Sequence, residues 1–339
     1  MRPLSDDYIL TIAADWHQSG HDLAIAIVIQ TWGSSPRPAG SIMIIRDDDL
    51  VEGSVSGGCV ESAVISAAHD VMAGKSSQRL DFAVADADAW QVGLSCGGAI
   101  SVWVCAASAF GSDAADLFSY VKARSAQHQM IAIDCQLHQH QMKAVSPKQE
   151  RQETQEAHIY PINQCSDDAS HFVLVIPPEP RLYIIGGVHI SQHLAPMAIA
   201  AGFNTTIIDP RSHFANAERF PNITMITDWP DEILDAANID EHTAIVTLTH
   251  NPKLDDAALH VALEKPAFYI ASLGSRHTHA KRCERLKADG FNDDQLARIN
   301  APAGLAIMAK TPAEIAISIL AQLIAVYRGK ISAAMTTNG

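Results

Sequence analysis

The chain has 339 residues, 47% hydrophobic and 18% charged, more than one core usually holds, so two domains are expected. A formal charge of −14 argues against nucleic acid, whose phosphates need clustered lysine and arginine, and against anionic membrane surfaces. The six cysteines form no Cys-x-x-Cys pair, no apolar run nears bilayer length, and Met1–Asp7 lacks a signal-peptide pattern, so a cytoplasmic protein with reduced thiols is expected.

In chain order, Ser5 to Gly20 predicts a helix, with Ser5 as cap, acids in the first turn and Gly20 at the end. Leu23 to Gln30 is a continuous apolar run suited to a buried strand, and Ser41 to Arg46 predicts another. The segment between them, Thr31 to Gly40, is too rich in Gly, Ser and Pro for regular structure. Cys59 to Met72 has helical spacing, and Ala99 to Cys105 reads as a strand. Strands are expected around Met130 to Cys135 and His171 to Ile176, with a polar excursion over 136–168 that holds His138 and His140 as surface residues. Pro177-Pro178-Glu179-Pro180 marks the domain boundary, because consecutive prolines resist both helix and ladder, giving domains at 1–178 and 179–339.

Beyond it strands and helices alternate. Strands are predicted at Leu182–Ile185, Thr205–Ile208, Thr243–Leu248 and Ala267–Ile270, and helices at His189–Ala201, Asp255–Leu263 and Ser275–Lys287. This pattern implies a doubly wound parallel sheet covered on both faces. Thr311-Pro312-Ala313-Glu314 opens a last helix with a capping box and Pro at its first position.

Two segments carry the chemistry of the first half, Ser56-Gly57-Gly58-Cys59-Val60-Glu61 and Ser95-Cys96-Gly97-Gly98. Each sets a thiol beside glycines, where backbone turns sharply, a ligand comes close and amide dipoles lower a thiol pKa. The alternative is two ordinary buried cysteines.

In the second half, a strand, Gly186-Gly187, a helix and then Asp209 resemble a dinucleotide fingerprint. Val188 stands at the second glycine position and Ser191 at the third, and the Val188 Cβ weakens the case for NAD(P). His189 and His193 lie one helical turn apart, without a third metal ligand. Thr249-His250-Asn251 and Gly274-Ser275-Arg276 follow predicted strands, at the carboxyl edge where α/β folds bind ligands, and Arg276 suits an anionic group.

Together these motifs resemble the XdhC/CoxI family, accessory proteins of xanthine dehydrogenase-type molybdenum hydroxylases. The likeness rests on Gly33-Ser34-Ser35-Pro36-Arg37, Gly53 to Glu61, Leu94 to Gly98, Ile184 to Pro221 with Asp209-Pro210-Arg211, Thr249-His250, Leu273 to Arg276, and Pro302 to Ala316. The resemblance implies an N-terminal mixed α/β domain and a C-terminal Rossmann-like domain. It further implies a chaperone that binds molybdenum cofactor (molybdopterin or its cytosine dinucleotide), helps exchange an oxo for a sulfido ligand and delivers it to an apo-hydroxylase. A cysteine desulfurase is an expected partner and a homodimer is compatible with the chain. On this reading Cys59 and Cys96 face one pocket, where one or both contact the molybdenum or hold it during sulfuration. Gly57, Gly58, Glu61, Gly97 and Gly98 surround the cofactor there, and Gly186, Gly187, His189, Asp209, Arg211, His250, Ser275 and Arg276 bind its phosphate or nucleotide end. Trp32 and Trp90 are candidate partner contacts. Two other functions fit the sequence, an NAD(P)-dependent oxidoreductase and a non-catalytic scaffold that docks the hydroxylase.

Overall fold

The computed structural model describes residues 6–33, 35, 37–58, 60–82, 98–108, 114–145, 164–166 and 170–329. The chain forms two compact units that meet in sequence between Pro178 and Glu179.

In the N-terminal unit, α1 (Asp6–Gln18) precedes β1 (Leu23–Trp32), β2 (Ile42–Arg46), β3 (Val51–Gly53), α2 (Glu61–Met72), β4 (Gln78–Phe82) and β5 (Ala99–Ala106). The five strands form an antiparallel sheet of order β3-β2-β1-β5-β4. Next come α3 (Ala114–Ala126), β6 (Ile131–Gln136), β7 (Gln141–Ala144), β8 (Gln164–Cys165) and β9 (His171–Ile176), whose strands make a second antiparallel sheet of order β7-β6-β9-β8.

The apolar run of β1 has a simple cause, because both of its faces are covered. Ile25, Ile27 and Ile29 point into a core shared with Ile9 and Leu10 of α1 and with Ile133, Phe172 and Leu174 of the second sheet. Ala24, Ala26 and Val28 face the opposite core, with Val64, Ala68 and Val71 of α2. Small residues on the α2 side let the helix lie close to the sheet, and large ones on the other side fill the gap between the sheets.

The C-terminal unit holds β10 (Arg181–Ile185), α4 (His189–Ala200), β11 (Asn204–Ile208), β12 (Thr224–Ile226), α5 (Pro230–Ala236), β13 (Thr243–Thr247), α6 (Pro252–Glu264), β14 (Tyr269–Ser272), α7 (Arg276–Ala288), α8 (Asp293–Leu296), β15 (Ile299–Asn300) and α9 (Pro312–Tyr327). Its six strands are parallel, in the order β12-β11-β10-β13-β14-β15. This is the doubly wound arrangement, with the reversal of strand order between β10 and β13. Leu182 and Ile184 of β10 pack toward α4 and α9, and Ile185 packs toward α6. The α9 capping box forms as expected, with Thr311 Oγ1 accepting from the Glu314 amide and the Glu314 carboxylate accepting from the Thr311 amide.

Several boundaries differ from the sequence reading. Helix α2 starts at Glu61 rather than Cys59, because the preceding glycines have positive φ, +81° at Gly57 and +122° at Gly58. The strand expected at 267–270 runs from Tyr269 to Ser272, since Phe268 still belongs to the turn that bonds Thr243. Within the polar excursion, 141–144 pairs with β6 and 164–165 with β9, so it is partly strand. Ser5 lies outside the described residues. Among the described residues no helix is long and apolar enough to cross a membrane.

Candidate functional site

The first glycine–cysteine segment is built around a carboxylate. Val55 and Val60 are fully buried and pin the loop between β3 and α2 at both ends. Between them the chain wraps the side chain of Glu61, the first residue of α2. Its Oε1 accepts from Ser54 Oγ (2.7 Å), the Ser56 amide (2.9 Å) and the Gly57 amide (3.0 Å). Its Oε2 accepts from Ser56 Oγ (2.5 Å), the Gly58 amide (2.9 Å) and the Val60 amide (3.2 Å). A Cβ on Gly57 or Gly58 would meet no atom within 4 Å, so glycine serves the left-handed backbone here rather than a tight fit. Burial alone would raise the Glu61 pKa, but the Ser56 and Ser54 hydroxyls and the loop amides reverse this and hold it at about 2. Glu61 is therefore ionised and its acceptors are committed to the loop.

Cys59, Cys96 and Gly97 lie outside the described residues, as does Trp90. The chain neighbours of the cysteines are placed. Gly58 and Val60 flank Cys59, and Gly98 is buried immediately before β5. Strand β3 runs in the direction of β1 and β5 against it: Gly53 pairs with Met43, which pairs with Ala26, and Ala99 pairs with Trp32. Trp32 is exposed at the end of β1. Cys105 and Cys135 are fully buried, and burial pushes their thiols far up, which leaves them inert. Cys283 is half-buried, 3.4 Å from His279 Nε2, and its thiol is also pushed up by burial.

The C-terminal sheet presents the remaining predicted residues along its carboxyl edge. Gly186 follows β10 with φ +109°, and a Cβ there would sit 2.6 Å from the Thr249 methyl. At Gly187 a Cβ would lie 2.6 Å from the Phe214 carbonyl oxygen, so the segment after β11 folds directly over the glycine turn. Val188 is half-buried against the core that contains Leu194 and Ala198, so the turn is crowded by Phe214 rather than by the Val188 side chain. Ser191, at the third glycine position, is buried, and its hydroxyl donates to the Gly186 carbonyl.

Asp209 is fully buried beside this turn. Arg211 donates to both of its oxygens, Nε to Oδ1 and Nη2 to Oδ2, each at 2.8 Å. Burial works against the Asp209 charge, but the Arg211 guanidinium and the Arg211 and Gly187 amides outweigh it and lower the pKa. Arg219 ties the same region together, donating through Nη1 to the carbonyls of Gly187 (2.6 Å) and Phe214 (2.7 Å).

On the other side of the strand reversal, His250 is exposed with φ +58°, and Asn251 caps α6. Ser275 caps α7 by accepting from the Thr278 amide, with Arg276 exposed beside it. His189 is exposed and its ring centroid lies 5.3 Å from that of His193. Among the described residues no three His, Cys, Asp or Glu side chains form a metal-binding group.

The sequence reading missed several supporting residues. Asp255 is buried and accepts from the Thr249 hydroxyl (2.7 Å) and amide (3.2 Å), bracing the loop after β13. Arg282 is buried and donates to the Leu273 carbonyl (3.0 Å) at the end of β14. An Asp soon after the helix-capping Asn251 was a usable signal for the first, whereas nothing local announces the second. His138 and His140 are exposed as expected, yet with Ser77, Arg79, Trp103 and Leu137 they line a surface cavity of about 430 Å³. There Trp103 Nε1 donates to Ser77 Oγ (3.0 Å), which contacts His140 Nδ1 (2.5 Å).

Comparison with known proteins connects both halves to one family. Residues 182–323 match the XdhC Rossmann domain, and residues 16–83 match the XdhC and CoxI family. The molybdenum cofactor insertion chaperone PaoD of Escherichia coli (strain K12) is 27% identical over 326 residues, covering 95% of this chain and 90% of that protein. A probable xanthine dehydrogenase subunit from Bacillus subtilis (strain 168) is 27% identical, covering 89% of this chain and 92% of that protein. The crystal structure of a xanthine dehydrogenase from Bacillus halodurans superposes with a TM-score of 0.75 at 25% identity, covering 97% of this chain and 98% of that one.

Proposed function

Because the chain belongs to the XdhC and CoxI family, we propose that it is a maturation chaperone whose cargo is molybdenum cofactor, delivered to an apo-hydroxylase of the xanthine dehydrogenase type. The observation that carries this reading is the loop built on Glu61. A loop shaped by six hydrogen bonds to one carboxylate holds its backbone in a single conformation, and Cys59 falls within it in sequence. An ordinary core cysteine needs no such frame. Preorganisation of this kind favours capture of a ligand, because ordering costs are met before binding.

Cys59 and Cys96 are the proposed molybdenum contacts, since thiolate is a soft ligand suited to that metal. Strand β3 leads out toward, and β5 leads in from, the side of the sheet on which β1 ends, which supports a shared pocket. Gly57, Gly58, Gly97 and Gly98 would let the pterin approach the backbone. Glu61 would act through the loop, because its acceptors are already filled. Exchange of an oxo ligand for sulfide involves no net oxidation: hydrogen sulfide enters and water leaves. A cysteine desulfurase with a thiol reductant would supply the sulfide. The carboxyl edge of the C-terminal sheet, with Gly186, Ser275, Arg276 and His250, is proposed to hold the phosphate-bearing end of the cargo.

The test is activation of an apo-hydroxylase by Cys59→Ala, Cys96→Ala and the double variant. Activation should be lost while the melting temperature stays within a few degrees of the wild type. Full activation by the double variant would overturn the cysteine assignment.

A further inference from the structure

Asp209 directly follows β11, where a Rossmann fold places the acid that receives the two hydroxyls of a nucleotide ribose. A cis-diol offers two O–H donors side by side to one carboxylate. In this protein a guanidinium offers two N–H donors to the same group, Arg211 Nε to Oδ1 and Nη2 to Oδ2, each at 2.8 Å. The backbone fills the rest: the Arg211 amide donates to Oδ1 at 3.0 Å and the Gly187 amide to Oδ2 at 2.8 Å. A carboxylate has about four lone-pair sites, and all four are engaged in a side chain with no solvent exposure.

We propose that Arg211 is a specificity-determining residue: its guanidinium stands in for the ribose diol and closes the C-terminal domain to NAD-type dinucleotides. The dinucleotide-like spacing from Gly186 to Asp209 then survives as architecture, with an internal side chain as its ligand.

The surroundings hold the arginine in place. Its guanidinium stacks on the Phe214 ring, 4.3 Å from the centroid. Phe214 is fixed in turn, because Arg219 Nη1 bonds its carbonyl and that of Gly187. The Gly187 amide, which a dinucleotide-binding turn would offer to a ligand, is also committed to Asp209. An incoming ribose would have to replace a bidentate, charge-assisted pair with neutral hydroxyl bonds to the same atoms, and such an exchange is unfavourable.

The test is titration of the full-length protein with NADH and NADPH, followed by nucleotide fluorescence, for the wild type, Arg211→Ala, Arg211→Gln and the double variant Asp209→Asn with Arg211→Ala. The wild type should show no saturation up to about 1 mM of either nucleotide. Removing the guanidinium vacates one donor position on each Asp209 oxygen, so a folded Arg211 variant should bind NADH at least tenfold more tightly than the wild type. The double variant should lose that gain, because the amide introduced by Asp209→Asn no longer accepts a diol at both atoms. Micromolar NADH binding by the wild type, NADPH-selective binding that depends on Arg211, or folded Arg211 variants with no gain would each overturn the proposal. Even where the variants fail to fold, micromolar NADH binding by the wild type overturns the proposal.

Discussion

Glu61→Gln is the most informative single substitution in the N-terminal domain. The wild-type carboxylate accepts three hydrogen bonds on each oxygen. Glutamine keeps one acceptor and puts an NH2 where the other was, which strands three donors and faces them with two more. Stranded donors cost about 1–3 kcal/mol each when buried, but the Gly57 and Gly58 amides are exposed and recover water, which limits the total to about 2 kcal/mol. The acidity of Glu61 gives a similar figure. A fall from the ordinary 4.5 to about 2 corresponds to about 3 kcal/mol of linkage, reduced to about 2 by solvent screening at this half-buried site.

The sign is fixed by the depressed pKa. The stabilisation is complete above about pH 4.5 and fades as pH falls toward 2, where the folded carboxylate takes up its proton. Hydrogen exchange of the Ser56, Gly57, Gly58 and Val60 amides should accelerate about 30-fold in the variant at neutral pH, the equivalent of about 2 kcal/mol. The alkylation rate of Cys59 should change with it, since both of its chain neighbours are bonded to Glu61. Exchange within threefold of the wild type would refute the claim that this carboxylate shapes the loop.

Further predictions concern the second domain. Gly187→Ala forces a methyl to within 2.6 Å of a backbone carbonyl, so it should destabilise the C-terminal unit by about 2–3 kcal/mol, read as a lower urea midpoint. Val188→Gly restores the glycine missing from the fingerprint, yet NADH binding should not appear, because Arg211 still fills Asp209; the cost should be about 1 kcal/mol of lost packing, seen as a lower melting temperature. Thr311→Ala removes the α9 cap and should cost about 1 kcal/mol, measured by thermal unfolding.

Much of the architecture was legible because it follows from burial. The run from Leu23 to Ile29 reads as a buried strand since both faces of β1 are covered, and Thr311-Pro312-Ala313-Glu314 names its own helix start. Alternating strands and helices after Pro180 pointed to the parallel sheet for the same reason. Short strands such as β3, β7 and β12 escaped notice because partners rather than composition define them. The sites were only partly legible. Glycines beside Cys59 marked a turn, but the role of Glu61 arises from a loop closing back on a helix start, and only an acid three residues after Gly58 hinted at it. Spacing sets Asp209 at the ribose-acceptor position, but it does not show that the chain turns so that Arg211, two residues on, reaches both oxygens.

The cargo reading is tested most directly by measuring pterin and molybdenum bound to the protein after purification from cells that make the cofactor. The account predicts near-stoichiometric pterin on the wild type and its loss from a folded variant with Cys59→Ala and Cys96→Ala. A wild-type protein that retains no pterin, or a double variant that retains as much as the wild type, would contradict it.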